Sequence, residues 1–178
     1  MSRRFRPLRT WRFWVGWLFV FAVGLRIFYL VRQDDQPRDL AEGEYVVSFV
    51  IDGDTLILDD SKRVRLIGVD TPETHERDKP PQPWGPQADA FAREFVDRAG
   101  GVVRLQFDDE RLDKYGRYLA YVWVGEKMLN EELIRAGLGR CLPGYRYSET
   151  LKRRFRVAEG EAKSRRLGIW SESSSIGR

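Results

Sequence analysis

Residues 45–74, with the sequence YVVSFVIDGDTLILDDSKRVRLIGVDTPET, contain the pattern that decides the fold of this chain. Segments 45–58 and 63–69 are rich in Val, Ile and Leu, which is typical of β-strands. The polar residues 59–62 between them match a short hairpin loop. The stretch therefore predicts a β-hairpin that is interrupted by charged residues.

The charged residues in this hairpin are Asp54, Arg65 and Asp70. With a loop of residues 59–62, antiparallel pairing sets Leu56 opposite Arg65, so Asp54 and Arg65 share a face as diagonal neighbours about 7–8 Å apart. Strict alternation directs Asp70 to the other face. We therefore expect the strand to bend or end near Gly68 if the three side chains converge.

The rest of the chain adds strands and helices in alternation. Segments 102–107 and 117–124 are two further strand candidates. Pro86 begins an amphipathic helix that ends before Gly100, Asn130 caps a short helix that closes near Gly137, and Ser148 caps a last helix before Gly168. This order predicts an α+β domain in which a small curled sheet packs against three helices.

The N-terminus has a different composition. Residues 1–33 contain seven arginines and no acid, so the remaining 145 residues carry 24 basic and 27 acidic side chains. A basic segment, 1–12, precedes an apolar run, 13–31, that would span about 28 Å as a helix. Because arginines precede this run and aspartates follow it, we expect a single-pass anchor with a cytoplasmic N-terminus and the domain outside. A cleaved signal peptide is the alternative.

The domain layout follows from these segments. A polar linker, 32–44, joins the anchor to a folded domain, 45–172, and a short tail, 173–178, ends the chain. The length of 178 residues excludes a second full domain. The single cysteine, Cys141, excludes an internal disulfide and a cysteine-rich zinc site.

Oxygen ligands for a hard cation are present in two of the polar clusters. Asp54, Asp70 and the carbonyl of Thr71 offer oxygen donors that suit Ca²⁺ or Mg²⁺ better than a soft metal. Glu73 is placed to orient or deprotonate a water molecule.

Two arginines complete this set. Arg65 and Arg117 can each donate two hydrogen bonds to phosphate oxygens and stabilise added negative charge. Together with the carboxylates they indicate hydrolysis of phosphodiesters.

The order and spacing of four motifs resemble those of the staphylococcal nuclease (thermonuclease) family. The motifs are VIDGDT at 50–55, RLIGVDTPET at 65–74, DKYGRYLAY at 113–121 and LGIWSE at 167–172, and GPQA at 85–88 also fits. The resemblance covers residues 45–172. It implies an OB-fold, here a five-stranded β-barrel with three helices, and calcium-dependent cleavage of DNA and RNA that leaves 5′-hydroxyl and 3′-phosphate ends.

The resemblance also assigns roles to individual residues. It implies that Asp54, Asp70 and the Thr71 carbonyl bind Ca²⁺, that Glu73 orients the attacking water or acts as general base, and that Arg65 and Arg117 hold the phosphate. Lys114 and Tyr115 match residues that hold a terminal phosphate of bound nucleotide.

Other residues near the motifs are open to more than one interpretation. One of Tyr145 and Tyr147 is expected to stack on a base, and we assign Tyr145 to substrate binding. His75 is expected to be an exposed loop residue. Nine basic residues between positions 140 and 166, against three glutamates, form either a solvated helix face or a guide for polyanions.

The leading functional hypothesis is thus a membrane-tethered nuclease whose partners are DNA and RNA, with single strands or frayed ends preferred. A non-catalytic OB-fold module that binds nucleic acid is the first alternative. A membrane-surface assembly protein is the second. No protein partner can be deduced from the sequence.

Overall fold

The computed structural model describes residues 40–75 and 79–171. The basic segment 1–12, the predicted anchor 13–31, residues 32–39 of the predicted linker and the tail 173–178 lie outside the described residues. Among the helices that are described, none has the length and the apolar composition that crossing a membrane requires.

Eight strands lie within residues 40–75 and 79–171. In chain order they are β1 (Gly43–Asp52), β2 (Thr55–Leu58), β3 (Arg63–Leu66), β4 (Val69–Asp70), β5 (Val102–Gln106), β6 (Tyr118–Val124), β7 (Lys127–Met128) and β8 (Arg140–Cys141). The candidates at 102–107 and 117–124 are confirmed as β5 and β6. Candidate 45–58 is not one strand, because Gly53 and Asp54 form a tight turn that joins β1 to β2.

Five of these strands close a barrel. Strand β1 pairs antiparallel with β2 and β5, β2 pairs with β3, and β5 pairs with β6. A parallel pairing of β3 with β6 joins the two ends of the sheet. The predicted five-stranded barrel with three helices is therefore confirmed, as is the α+β class.

The β2–β3 hairpin has a different register from the predicted one. Thr55 pairs with Arg65, and Leu56 pairs with Val64 rather than with Arg65. The loop has three residues, since Leu58 N–H donates to Lys62 O, and the last of them, Ser61, is left-handed at φ 65°. A turn followed by a left-handed residue is a common three-residue hairpin loop, and it shifts the pairing by one position.

The expected bend after β3 is present. Strand β3 ends at Leu66, and Gly68 has a φ of 74°, a left-handed conformation that glycine adopts without a steric penalty. The chain then enters β4, which pairs with β8 across Val69 and Cys141. This turn lets Asp70 approach Arg65.

Three helices pack around the barrel: α1 (Gly85–Asp97), α2 (Leu129–Arg135) and α3 (Glu149–Ser164), followed by a 3₁₀ turn at Gly168–Trp170. Pro86 lies in the first turn of α1, and the Ser148 hydroxyl accepts from Leu151 N–H at the start of α3, as predicted. Asn130 is not the cap of α2. Its side chain is buried and accepts from Val122 N–H while donating to Ile67 O.

The core fills the barrel and extends under the helices. Its largest fully buried side chains include Tyr121, Phe155 and Leu105. Leu40 is 3% exposed and belongs to the same core, and β1 begins at Gly43. The packed unit therefore includes residues from the end of the segment that the sequence marks as a linker.

Candidate active site

The side chain of Arg65 is the centre of the site. One terminal nitrogen forms an ion pair with Asp54 Oδ2, and the other donates to Asp70 Oδ1 at 2.8 Å. The Asp54 side chain is 4% exposed and that of Asp70 50%. A single guanidinium thus joins the turn before β2 to the end of β4, so the three charged residues converge as expected.

The segment after β4 is attached to the same carboxylate. Thr71 N–H donates to Asp54 Oδ2 at 2.8 Å, and the Thr55 hydroxyl donates to Asp54 Oδ1 at 3.1 Å. The backbone of Thr71 is thereby held beside Asp54. The three predicted metal-binding residues are therefore neighbours.

Several carboxyl groups lie close together on this side of the barrel, and each makes ionisation of the others less favourable. Burial, followed by the charge of Asp54, raises the pKa of Asp52 to about 7. Burial also raises the pKa of Asp70, although Arg65 opposes this effect. Glu73 has a raised pKa as well, first from partial burial and then from the charge of Asp54. A site of this kind attracts cations and keeps a carboxylate basic enough to accept a proton.

Arg117 reaches the site through the parallel pairing of β3 with β6. Arg65 pairs with Leu119, two residues after Arg117, so the two arginines are two positions apart along the paired segments. Arg117 Nε donates to Asp113 Oδ2 at 2.7 Å. Burial acts to raise the pKa of Asp113, but hydrogen bonds from the Arg117 and Tyr115 backbone and from the Arg117 side chain hold it below its usual value.

The predicted substrate-binding residues lie beside Arg117. Lys114 Nζ is 4.9 Å from the centre of the Tyr115 ring, and Arg117 Cζ is 5.5 Å from it. The ring of Tyr115 is exposed, as is that of Tyr145. Tyr147, the alternative stacking residue, is buried 6.0 Å from the Phe155 ring, so that alternative is wrong.

Arg65 and Arg117 both line a cleft of about 370 Å³. Six of the predicted site residues line it, and nine further residues complete the lining. The predicted lining residues are Arg65, Asp70, Lys114, Tyr115, Arg117 and Tyr145, and the additional ones include Glu110, Leu142 and Arg146. Asp54, Thr71 and Glu73 are not among the residues that line the cleft, and Asp54 is connected to it through the ion pair with Arg65. His75 is exposed, as expected.

The donor set for a metal ion is small. Within residues 40–75 and 79–171, no three Asp, Glu, His or Cys side chains gather as a metal centre. The candidate ligands are instead two carboxylates and one main-chain carbonyl. These are hard oxygen donors, the kind of ligand that Ca²⁺ and Mg²⁺ both bind.

Comparison with known proteins agrees with this geometry. The family described as "Staphylococcal nuclease homologue" matches residues 63–172. This chain belongs to the staphylococcal nuclease family.

Individual relatives cover most of the domain. The thermonuclease of Staphylococcus intermedius is 40% identical over 156 residues, which is 84% of this chain and 91% of the relative. The thermonuclease of Staphylococcus hyicus is 43% identical over 136 residues, covering 73% and 77% of the two chains. Endonuclease YncB of Bacillus subtilis is 42% identical over 130 residues, covering 71% and 61%. The protein is a nuclease, and its substrate is nucleic acid, so the alternative of a non-catalytic binding module is not supported.

Proposed function

We propose that this nuclease is calcium-dependent and hydrolyses DNA and RNA by in-line attack of water, leaving 5′-hydroxyl and 3′-phosphate ends. The observation that carries the proposal is the position of Arg65, which joins Asp54 to Asp70 at a cleft that Arg117 also lines. Hard oxygen donors and phosphate-binding cations thus meet at one place, as phosphodiester hydrolysis requires.

The protein's own groups divide the work. Arg65 and Arg117 each keep N–H donors beyond those used in their ion pairs, because a guanidinium has five. These donors hold two phosphate oxygens and stabilise the charge that develops during attack. Glu73 accepts the proton of the attacking water, and its raised pKa suits this role.

Asp54, Asp70 and the Thr71 carbonyl would hold the calcium ion. When bound, the ion neutralises the phosphate and makes its phosphorus more electrophilic. The carboxylates fit it because they lie close enough to share one cation, Arg65.

Single-stranded or frayed nucleic acid is the proposed substrate form. The exposed rings of Tyr115 and Tyr145 line the cleft, and bases can stack on them only when they are unpaired. Lys114 lies beside Tyr115 and is the proposed contact for a terminal phosphate.

The test measures cleavage of fluorogenic DNA and RNA with calcium, with magnesium and with a chelator. We expect activity with calcium, much less with magnesium and none with the chelator. Products should resist extension by a polymerase until a phosphatase removes their 3′-phosphates. Full activity in the chelator would disprove the metal requirement, and products that can be extended at once would disprove the assignment of the ends.

We further propose that residues 13–31 anchor the protein in a membrane, with the nuclease domain outside the cytoplasm. The proposal is supported by the apolar run and by the arginines that precede it. Protease added to spheroplasts should digest the domain, whether it is periplasmic or extracellular, and washing membranes with carbonate should leave the protein bound. Release of a shorter soluble form would instead indicate a cleaved signal peptide.

A further inference from the structure

We propose that Gln82, Thr74 and Asp89 are positioning residues for Glu73, an inference that rests on the proposed role of Glu73 as the group that activates water. Thr74 ends the motif at 65–74, whereas Gln82 and Asp89 lie outside the four motifs, and none of the three has been given a role in binding phosphate or metal. Gln82, in the turn before α1, binds the backbone of Glu73 itself, and Asp89, in α1, binds Thr74, the next residue along the chain.

The side chain of Glu73 is not fixed by contacts of its own with other described side chains. Glu73 is exposed, and within the described residues its carboxylate forms no hydrogen bond or ion pair with another side chain. A general base must nevertheless lie within hydrogen-bonding distance of the water that it deprotonates. The location of its carboxylate therefore depends on its backbone.

Gln82 holds both polar groups of that backbone. The Gln82 N–H donates to Glu73 O at 2.9 Å, and Gln82 Oε1 accepts from Glu73 N–H at 3.3 Å. Gly85 N–H in turn donates to Gln82 O at 3.0 Å, which ties this contact to the start of α1. A single residue thus couples Glu73 to the helix.

Asp89 holds the next residue along the chain. Asp89 is 5% exposed in α1, and its Oδ2 accepts from the Thr74 hydroxyl at 2.8 Å. Its Oδ1 is buried and has no hydrogen-bond partner in the described part of the chain. Burying a carboxylate with one oxygen unsatisfied is costly, so packing alone does not explain an aspartate at this position.

The same hydroxyl also contacts His75, whose Nδ1 lies 2.7 Å from Thr74 Oγ1. A hydroxyl has a single proton. If that proton is donated to Asp89, His75 must be the donor to Thr74. Thr74 is then fixed from two sides, immediately after Glu73.

The first experiment compares variants of Thr74 by steady-state cleavage of a fluorogenic single-stranded DNA in saturating calcium. Thr74→Val keeps the shape but removes the hydroxyl, so we expect kcat to fall about tenfold, with KM changed by less than about twofold. Thr74→Ser restores the hydroxyl and should keep kcat near that of the wild type. Thr150→Val, whose hydroxyl contacts Arg153 on α3, is the matched control and should have no effect.

Gln82 is tested in the same way. Gln82→Met preserves the length of the side chain but removes the acceptor, and it should lower kcat by several-fold. Gln87→Met, at an exposed position of α1, is its control. A Gln82→Met enzyme with unchanged kcat, or a Thr74→Ser enzyme as slow as Thr74→Val, would overturn the proposal.

The decisive comparison places Thr74→Val in a Glu73→Gln background. If Thr74 acts through Glu73, the substitution lowers kcat about tenfold in the wild type and not at all in Glu73→Gln. If kcat falls a further tenfold in that background, Thr74 does not act through Glu73. The positioning role is then refuted, and the proposed role of Glu73 is not affected. If Glu73→Gln is itself as active as the wild type, the proposed role of Glu73 fails and the positioning role fails with it.

Asp89→Ala provides an independent check and can lower stability, so circular dichroism must first show that it is folded. Its kcat should fall as in Thr74→Val, and the double variant should be no slower than either single one. Multiplicative losses would show that Asp89 and Thr74 act separately and would contradict the link between them. If Asp89→Ala does not fold, the Thr74 variants decide the matter.

Discussion

Arg65 and Arg117 have similar chemistry but different surroundings. Arg65 is largely buried and neutralises Asp54, which is almost completely inaccessible to water. Arg117 is more exposed and pairs with Asp113 through a local i,i+4 contact. Replacing Arg65 should therefore lower both the stability of the fold and the rate of cleavage, whereas replacing Arg117 should lower mainly the rate.

We predict that Arg117→Ala lowers turnover by at least about 100-fold with little loss of stability. Arg65→Ala should lower turnover as much, and it should also reduce the free energy of unfolding by about 3 kcal/mol, because it leaves a buried carboxylate unpaired. Cleavage rates and urea unfolding in calcium-free buffer measure the two effects. Arg153→Ala, on the exposed face of α3, is the control. If Arg65→Ala and Arg117→Ala are equally stable, leaving the Asp54 carboxylate unpaired does not destabilise the fold, and the prediction is wrong.

Asp108 shows how one carboxylate links two elements. Its Oδ2 accepts from the Tyr121 hydroxyl at 2.6 Å and from Ser148 N–H at 2.8 Å, which joins β6 to the start of α3. Burial acts to raise the pKa of Asp108, but these hydrogen bonds, with that from Asp109 N–H, hold it below its usual value of 3.8.

A depressed pKa stabilises the fold above the pKa of the unfolded chain, and this contribution is lost as the pH falls through the folded value. Asp108→Asn should therefore destabilise the protein by about 2 kcal/mol at pH 7. The difference from wild type should shrink below about pH 4. Urea unfolding across this range, with Asp109→Asn as control, measures it. A difference that grows on acidification would contradict the direction of the shift.

At the level of elements, the contact between the 3₁₀ turn and the end of α2 fixes the C-terminal part of the fold. Ile169 N–H donates to Gly137 O at 2.8 Å, and Gly168 has a φ of 50°. A Cβ at Gly168 would lie 2.1 Å from Gly137 O. The two chain segments touch through their backbones, which leaves no room for a side chain.

Gly168→Ala should accordingly lower the free energy of unfolding by more than about 2 kcal/mol, since it adds both a clash and an unfavourable φ. Gly160→Ala is the matched control. Gly160 lies within α3 with nothing near its would-be Cβ, so the same change should stabilise by about 0.5–1 kcal/mol. Thermal unfolding of both variants provides the comparison, and a neutral Gly168→Ala would refute the packing argument.

Elements were predictable to the extent that local pattern determines them. Strands β5 and β6 and the starts of α1 and α3 follow from β-branched runs, Pro86 and Ser148. The predicted β2–β3 register was wrong, because the composition of the loop does not reveal that Ser61 adopts a left-handed conformation. The cap assigned to Asn130 failed for a related reason: its side chain bonds to β6 and to Ile67. Such long-range contacts leave no periodic signal.

The same distinction applies to the site. Residues in the motifs, such as Asp54 and Arg117, could be predicted because their spacing is that of a known family. Gln82 and Asp89 could not, because each acts on the backbone or hydroxyl of a residue brought near only by folding. Tyr147 was misjudged as a possible stacking residue, since sequence alone does not separate a buried tyrosine from the exposed Tyr145.

At the scale of the whole molecule, barrel closure assembles the site. The parallel pairing of β3 with β6 brings together Arg65 and Arg117, which are 52 positions apart in the numbering, and both line the same cleft. Strand β1 lies between β2 and β5, so it supports both sides of that closure. The site can therefore form only when β1 is paired with both of its neighbours, as can the barrel.

The start of this unit lies before Tyr45. Leu40 is buried, the Arg111 guanidinium donates to Leu40 O, and Glu42 Oε1 accepts from Phe107 N–H at 3.3 Å. Gly43 and Glu44 continue the β1 ladder with β5. These contacts do not involve residues before position 40, so a fragment that retains them should fold without the predicted anchor.

We therefore predict that a fragment of residues 36–178 unfolds cooperatively in urea and cleaves DNA. A fragment of residues 45–178 should be less stable by about 3 kcal/mol, because it lacks the buried leucine and the first rungs of the ladder. Leu40→Ala in the longer fragment should account for more than half of this loss, since burying a leucine contributes about 1.5–3 kcal/mol. If the two fragments unfold at the same urea concentration, residues 40–44 contribute nothing to the domain. If the longer fragment is unfolded by circular dichroism, the domain depends on segments before residue 36.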